Sequence, residues 1–342
     1  MSHISSTKTE KSADDHVVAP YDMDCNIVDF ILGITYEIWE QRQVEKILDY
    51  YSEDVEVFSL DGITSGAASM VKQTYDTLAA FPDRLLLGDD VIASGTARDG
   101  FSSHRITSPM TNLGDTIFGP ATGRQVQTMN IADCEIHNGL ITREWLVRDN
   151  LALVEQLGFD PMTAARQMSN RVEPRLETWL REQFVKTMDT ENSGQLSDTV
   201  SSEHSPASFA HQVLESCWIT GDQKTLNSEY APYCVMQRAP SRIFSGRERV
   251  LDHYAAWRST FPEANLIVEN VCSQQFNENS QDIAVRWSLA GMHKGEFAGA
   301  APSGKPVYMF GVTHWKVVDR RIAAEWTVFD ELAMLAQTID DD

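Results

Sequence analysis

Basic residues are scarce in this chain. Only 28 Lys and Arg stand against 50 Asp and Glu, a formal charge of -22, which would repel the phosphate backbone of nucleic acid and anionic membrane surfaces. Neither is expected as a partner. Cysteine is scarce too: the five present, Cys25, Cys134, Cys217, Cys234 and Cys272, show no CxxC spacing, and an odd count does not suit a disulfide framework. A reducing, cytoplasmic compartment is the expectation. No stretch approaches the roughly 18 consecutive apolar residues of a membrane-spanning helix, and the first twenty residues lack the apolar centre of a secretion signal. Residues 1–25 read as a flexible tail.

What the chain has is length and internal repetition. Its 342 residues, 42% of them apolar, suffice for two domains with separate cores. Sliding the chain on itself by 181 residues aligns Arg105–Gln156 with Arg286–Gln337 without a gap, and 12 of the 52 pairs are identical. Among them are Gly123/Gly304, Ile141/Ile322, Trp145/Trp326, Asp149/Asp330 and Gln156/Gln337. Further upstream, Phe81/Phe261 and Gly66/Gly246 match at an offset of 180, and Trp39/Trp218 at 179. Landmarks in one order with single-residue drifts are the mark of a tandem duplication. The copies are placed at residues 26–160 and 206–342, with a helical connector and a polar linker over 161–205.

Each copy starts with helical periodicity. Ile27, Phe30, Ile31, Ile34 and Ile38 share one face, as do Phe209, Val213 and Cys217. After "FPD" the period changes to two, and "HRITS", "QVQTMNIADCEI" and "LITREWLV" read as strands. Asn138-Gly139 is a strong signal for a two-residue hairpin turn. The expected fold class is α+β, with helices packed on a curved antiparallel sheet in each copy.

The hairpin turn sets a provisional register. Counting outward from it pairs Cys134 with Arg143, Ala132 with Trp145 and Thr128 with Asp149, so that Ile141, Arg143, Trp145, Val147 and Asp149 would share a concave apolar face. In the second copy that face reads Ile322, Ala324, Trp326, Val328, Asp330. A carboxylate buried beside Trp has its pKa raised from about 3.9 toward neutrality, as a general base requires. Asp149 and Asp330 are therefore the candidate catalytic residues, although Asp is equally suited to cap the helix beginning at "NLALVEQ". Candidate substrate contacts are Trp39, His104, Arg105, Arg143, Trp145, Arg286 and Trp326. The tryptophans are also natural core residues, and the Arg105/Arg286 pair also suits a structural ion pair. Asp133 and Glu144 fall on the opposite face by this count, outside the site. With Val285, Ala324 and Ile339 in place of His104, Arg143 and the Gly of "QLG", the second pocket is expected to be drier and less reactive.

The order helix, "FPD", "SHR", "GPATGR", hairpin, "EWLVRD", "QLG" resembles the SnoaL-like polyketide cyclases, within the nuclear transport factor 2-like superfamily of cone-shaped α+β domains. The resemblance runs over about residues 26–160 and again 206–339. It implies that Asp149 is the acid/base of an intramolecular aldol-type closure, or of a related isomerisation, on a small carbonyl-bearing and mostly apolar molecule, with no cofactor and no metal. The family's pocket histidine on the first hairpin strand falls at Ala132 and Thr313 here. The superfamily also holds epoxide hydrolases and non-catalytic binding or scaffold modules, which stand as the alternatives. Its single-domain members pair through their sheets, so an internal pseudo-dimer is expected, with a homo-oligomer as a further option.

Overall fold

The computed structural model describes residues 25–189 and 205–339; residues 1–24 of the tail and 190–204 of the linker lie outside the described residues. In the first copy, α1 (Ile27–Thr35) opens with Asn26 Oδ1 accepting the Val28 N–H at 2.8 Å. Ile27, Phe30, Ile31 and Ile34 form its buried face. A π-helical turn, Tyr36–Glu40, continues it and carries Trp39. Then come α2 (Ile47–Tyr50), β1 (Tyr51–Ser59), β2 (Gly62–Ser65), α3 (Ala67–Ala80), β3 (Leu87–Gly95), β4 (Gly100–Thr111), β5 (Gln125–His137), β6 (Leu140–Arg148) and α4 (Asn150–Leu157). The connector supplies α5 (Pro161–Ser169) and α6 (Pro174–Met188).

The second copy repeats the plan with α7 (Pro206–Glu215), a π-helical turn at Ser216–Thr220 carrying Trp218, α8 (Gln223–Glu229), β7 (Tyr230–Ala239), β8 (Arg242–Ser245), α9 (Arg247–Thr260), β9 (Asn265–Asn277), β10 (Ser280–Met292), β11 (Pro306–Val318), β12 (Arg321–Phe329) and α10 (Glu331–Ala336). The repeated glycines have a conformational reason. Gly66 and Gly246 precede α3 and α9 at φ +84° and +90°, a region in which a Cβ clashes with the backbone.

Two six-stranded sheets result, ordered β2-β1-β6-β5-β4-β3 and β8-β7-β12-β11-β10-β9. Both are α+β domains, as the sequence predicts, but neither sheet is wholly antiparallel: β1 runs parallel to β6, and β7 to β12. The sequence reading also missed the β1–β2 and β7–β8 hairpins that precede "FPD" and "FPE".

The hairpin turn forms where expected, with Asn138 at φ +51° and Gly139 at +76°, but the register beyond it is shifted. His137 faces Leu140 and Ile136 faces Ile141; a bulge then intervenes, and Glu135 pairs with Arg143, Cys134 with Glu144, Asp133 with Trp145 and Ala132 with Leu146. One extra residue in a strand sends everything past it to the other face. The second copy has the same slip, pairing Trp315 with Glu325 and His314 with Trp326. Glu144 and Leu146 therefore point toward the helices, and Arg143, Trp145 and Val147 point away.

Those outward faces meet across a seam between the copies. The Arg286 guanidinium lies 3.4 Å from the Trp145 ring centre and pairs with buried Asp133, while Arg105 lies 4.1 Å from the Trp326 ring centre and pairs with Asp89 at 3.3 Å. The Arg and Trp pairs kept in register by the duplication are thus reciprocal cation–π contacts. His314 Nε2 meets Ser103 Oγ at 2.9 Å. Helix α6 lies across the same seam, its Trp179 stacked on Phe58 and edge-on to Tyr308 and Phe310.

Candidate functional site

The concave side of the first sheet and helices α1 to α3 enclose a cavity of about 750 Å³. Its walls are mainly apolar, including Ile34, Ile38, Val57, Met70, Ile106 and Leu146. Of the residues singled out from sequence, Asp149, His104 and Trp39 border it. Trp145, Arg143 and Arg286 line a small cleft on the seam, whereas Arg105 and Trp326 form the second cation–π contact. The face-to-cavity assignment of Arg143 and Trp145 is thus corrected by the bulge.

Asp149 takes the capping role foreseen for it, with its carboxylate buried beside the cavity. It is the N-cap of α4, Oδ1 accepting the Ala152 N–H at 3.0 Å, and it is 1% exposed. Oδ2 is buried without a hydrogen-bond partner. Burial, and next the negative charge of Glu331, push its pKa up to about 6, against the pull of Arg238, the Ala152 N–H and Arg242. Glu331 belongs to the second copy, where it is held by buried Arg238 at 3.0 Å and by Arg242 at 3.1 Å.

Asp330 has the corresponding place at the start of α10, accepting the Leu332 and Ala333 N–H groups, each at 3.1 Å. Its Oδ2 also accepts from Asn150 Nδ2 at 2.6 Å. Burial raises its pKa well above the ordinary carboxylate range, reinforced by the charge of Asp61. The difference between the two carboxylates follows from the residue after each. Asn150 hands Asp330 a donor, whereas Glu331 hands Asp149 a like charge.

His104 on β4 is 2% exposed, and its Nε2 has no partner. Burial, helped by neighbouring Arg105, lowers its pKa to about 4, so the ring is neutral at pH 7. It faces Ala132 across the β4–β5 ladder. An imidazole thus reaches, from the adjacent strand, the position at which the family resemblance puts a histidine.

Sequence reasoning missed Glu144, Arg84, Arg148 and Asp61, all on the cavity wall. Glu144 is buried with one hydrogen bond, from Tyr51 Oη at 3.1 Å, and burial raises its pKa. The same Glu in the second copy, Glu325, accepts from Tyr230, Tyr254, Trp315 and Thr327. Three of these four donors have no counterpart around Glu144, for Thr74, Cys134 and Leu146 occupy the matching positions. The Glu144/Glu325 identity beside the Tyr51/Tyr230 identity was a usable signal, hidden by the wrong register.

The second cone is filled rather than hollow. Where the first has Thr74, Thr77, Ile106 and Arg148, the second has Tyr254, Trp257, Trp287 and Phe329, all buried. Trp218 packs against Trp287 with ring centres 4.8 Å apart and against Tyr254 at 5.1 Å, and Trp257 meets Phe329 at 5.1 Å. Among the described residues no cluster of three His, Cys, Asp or Glu side chains is placed to hold a metal ion, and no helix is long and apolar enough to cross a membrane.

The first copy is thus a hollow α+β cone with a buried, raised-pKa carboxylate on its wall. The chain belongs to the SnoaL-like polyketide cyclase family, whose model matches residues 30–157 and again 209–338. Similar solved structures include AclR from Streptomyces galilaeus, 26% identical over 39% of this chain and 95% of that one with a TM-score of 0.35. Wild-type IdmH from Streptomyces antibioticus is 29% identical over 39% and 98%, with a TM-score of 0.33. A SnoaL-like polyketide cyclase from Agrobacterium tumefaciens is 20% identical over 39% and 99%, with a TM-score of 0.34. No curated protein sequence matches the chain significantly.

Proposed function

We propose that the first copy carries out cofactor-free proton abstraction on a small carbonyl-bearing molecule, leading to aldol-type ring closure or isomerisation, and that the second copy supports it. Asp149 is the base. Its carboxylate takes a proton from carbon next to a carbonyl, and the C–H electron pair becomes an enolate. That enolate attacks a second carbonyl carbon within the same molecule, forming the C–C bond, and the new alkoxide regains a proton. His104, neutral and unpartnered, is suited to hydrogen-bond a carbonyl or enolate oxygen.

The observation that carries this reading is the free Oδ2 of Asp149. A carboxylate that served only as a cap has no reason to keep one oxygen buried, unpaired and at the edge of a cavity. The test is hydrogen–deuterium exchange next to the carbonyl of a bound cyclic ketone. Wild-type protein should accelerate exchange, and Asp149→Asn should lose about 10²- to 10⁴-fold of it while remaining folded. Unchanged exchange in the folded variant would leave a binding-only protein in which Asp149 is a helix cap.

A further inference from the structure

Building on that reading, we infer that the cavity of the first copy contains an anion subsite formed by Arg84 and Arg148, so that its substrate has an apolar body and one carboxylate or similarly anionic end. Arg84 borders the cavity and is half-buried. Its Nε donates to Ser108 Oγ at 2.9 Å, and its guanidinium lies 5.0 Å from the Trp39 ring centre. Neither terminal nitrogen has an acceptor among the described residues, and no carboxylate pairs with it. Arg148 borders the same cavity from β6, partly exposed and in a loose ion pair with Asp61 Oδ1 at 3.6 Å, too long for a hydrogen bond. Guanidinium groups drawn out of water ordinarily have partners at their terminal nitrogens, because desolvating a cation without one is costly, and those of Arg84 have none among the described residues. Here two face one cavity and repel each other: burial, and then Arg148, lower the Arg84 pKa to about 9. A planar anion accepting from both would remove that repulsion and use the empty donor positions.

The second copy is an internal control. Arg84 and Arg148 correspond to Ala264 and Phe329, so both cations are missing from the copy whose interior is filled with rings. The charge of the whole chain works against the idea, since a formal charge of -22 repels anions at long range. Any preference for an anion must therefore come from the local site.

The experiment measures binding rather than turnover, so its outcome is independent of whether Asp149 is a base. Isothermal titration of the full-length chain compares 1-naphthoate with its neutral analogue 1-acetonaphthone. Wild-type protein should bind the carboxylate about ten- to hundred-fold more tightly. That preference should fall to near unity in Arg84→Gln and weaken in Arg148→Gln, while Arg84→Lys restores part of it; Arg98→Gln, an exposed charge change of the same size, should leave it intact. Melting temperatures of the variants accompany the titrations. Equal or tighter binding of the ketone by wild-type protein, or no binding of the carboxylate, overturns the inference even if both variants fail to fold. A carboxylate preference that survives in folded Arg84→Gln and Arg148→Gln overturns it as well.

Discussion

Replacing Asp149 by Asn should stabilise the protein near neutral pH while removing its chemistry. The folded-state pKa of Asp149 is about 6 against an ordinary 3.8, so the folded protein holds this proton more tightly than the unfolded chain does. Between these two values the folded state binds more protons, and stability falls as pH rises through that window. The difference of about two pKa units corresponds to about 3 kcal/mol, absent below pH 3.8 and fully felt above pH 6. Asn has no proton to lose, and it caps helices as well as Asp does. The variant should therefore match or fall slightly below wild type near pH 4 and exceed it by up to about 3 kcal/mol at pH 7. Urea unfolding of both proteins at half-unit steps from pH 4 to pH 8 reads the difference directly. A fixed cost of fitting the amide near Arg238 moves that difference up or down at every pH but leaves its slope unchanged. A flat difference across the range would falsify the claim that burial and Glu331 raise this carboxylate.

Glu331→Gln removes the second-largest cause of the raised Asp149 pKa and frees Arg238 and Arg242 to attract the carboxylate; the acid limb of the pH–rate profile for exchange should move to lower pH, and an unmoved limb refutes the cross-copy coupling. Arg286→Met leaves Asp133 buried without its cation and should cost about 3–5 kcal/mol. Combined with Trp145→Leu in a double-mutant cycle, it should show a coupling of about 1–2 kcal/mol for the cation–π contact, and strict additivity refutes that contact. Glu325→Gln should destabilise by about 1–3 kcal/mol for each donor left unpaired, whereas Glu144→Gln, with one hydrogen bond at stake, should cost about 1 kcal/mol or less; equal costs in chemical denaturation would mean that the two environments are alike.

The duplication, the α+β class of each copy, the hairpin turn and the cap at Asp149 were legible because each rests on local chemistry: identity at fixed spacing, a period of 3.6 or 2, an Asn-Gly pair, an Asp before a helix. The faces of the hairpin were not. A bulge beyond the turn, shared by both copies, is compatible with many positions in a sequence of alternating residues, and it exchanges Trp145 and Arg143 for Glu144 and Leu146 on the cavity wall. Arg105, Trp145, Arg286 and Trp326 were rightly singled out as unusual, yet nothing local says that a retained Arg reaches the Trp of the other copy instead of a substrate. The expectation that the second pocket is drier rested on Val285, Ala324 and Ile339, but the interior is closed by Tyr254, Trp257, Trp287 and Phe329, whose inward direction follows only from the packed helices.

The unequal copies make physical sense as one unit. A cone with about 750 Å³ of internal space gives up the dispersion contacts that a filled core would have, and it leaves Asp149 Oδ2 and His104 Nε2 without hydrogen-bond partners among the described residues, while the Arg84 guanidinium is bonded only through Nε. Those are the features a reactive site needs and a small domain can least support. The second copy has the opposite character: its Trp and Phe rings fill the matching space, and Glu325 has four donors. Across the seam it contributes Arg286 to Asp133 and Trp326 to Arg105, together with the Glu331, Arg238 and Arg242 charges that, after burial, modulate the Asp149 proton affinity. A lone first copy would gain water at the same carboxylate and lose the Glu331 charge, both of which lower its pKa, and would also lose the Arg238 and Arg242 charges, which works the other way. The filled copy therefore acts on the Asp149 carboxylate of the hollow one through electrostatics, while its own matching positions are occupied by rings.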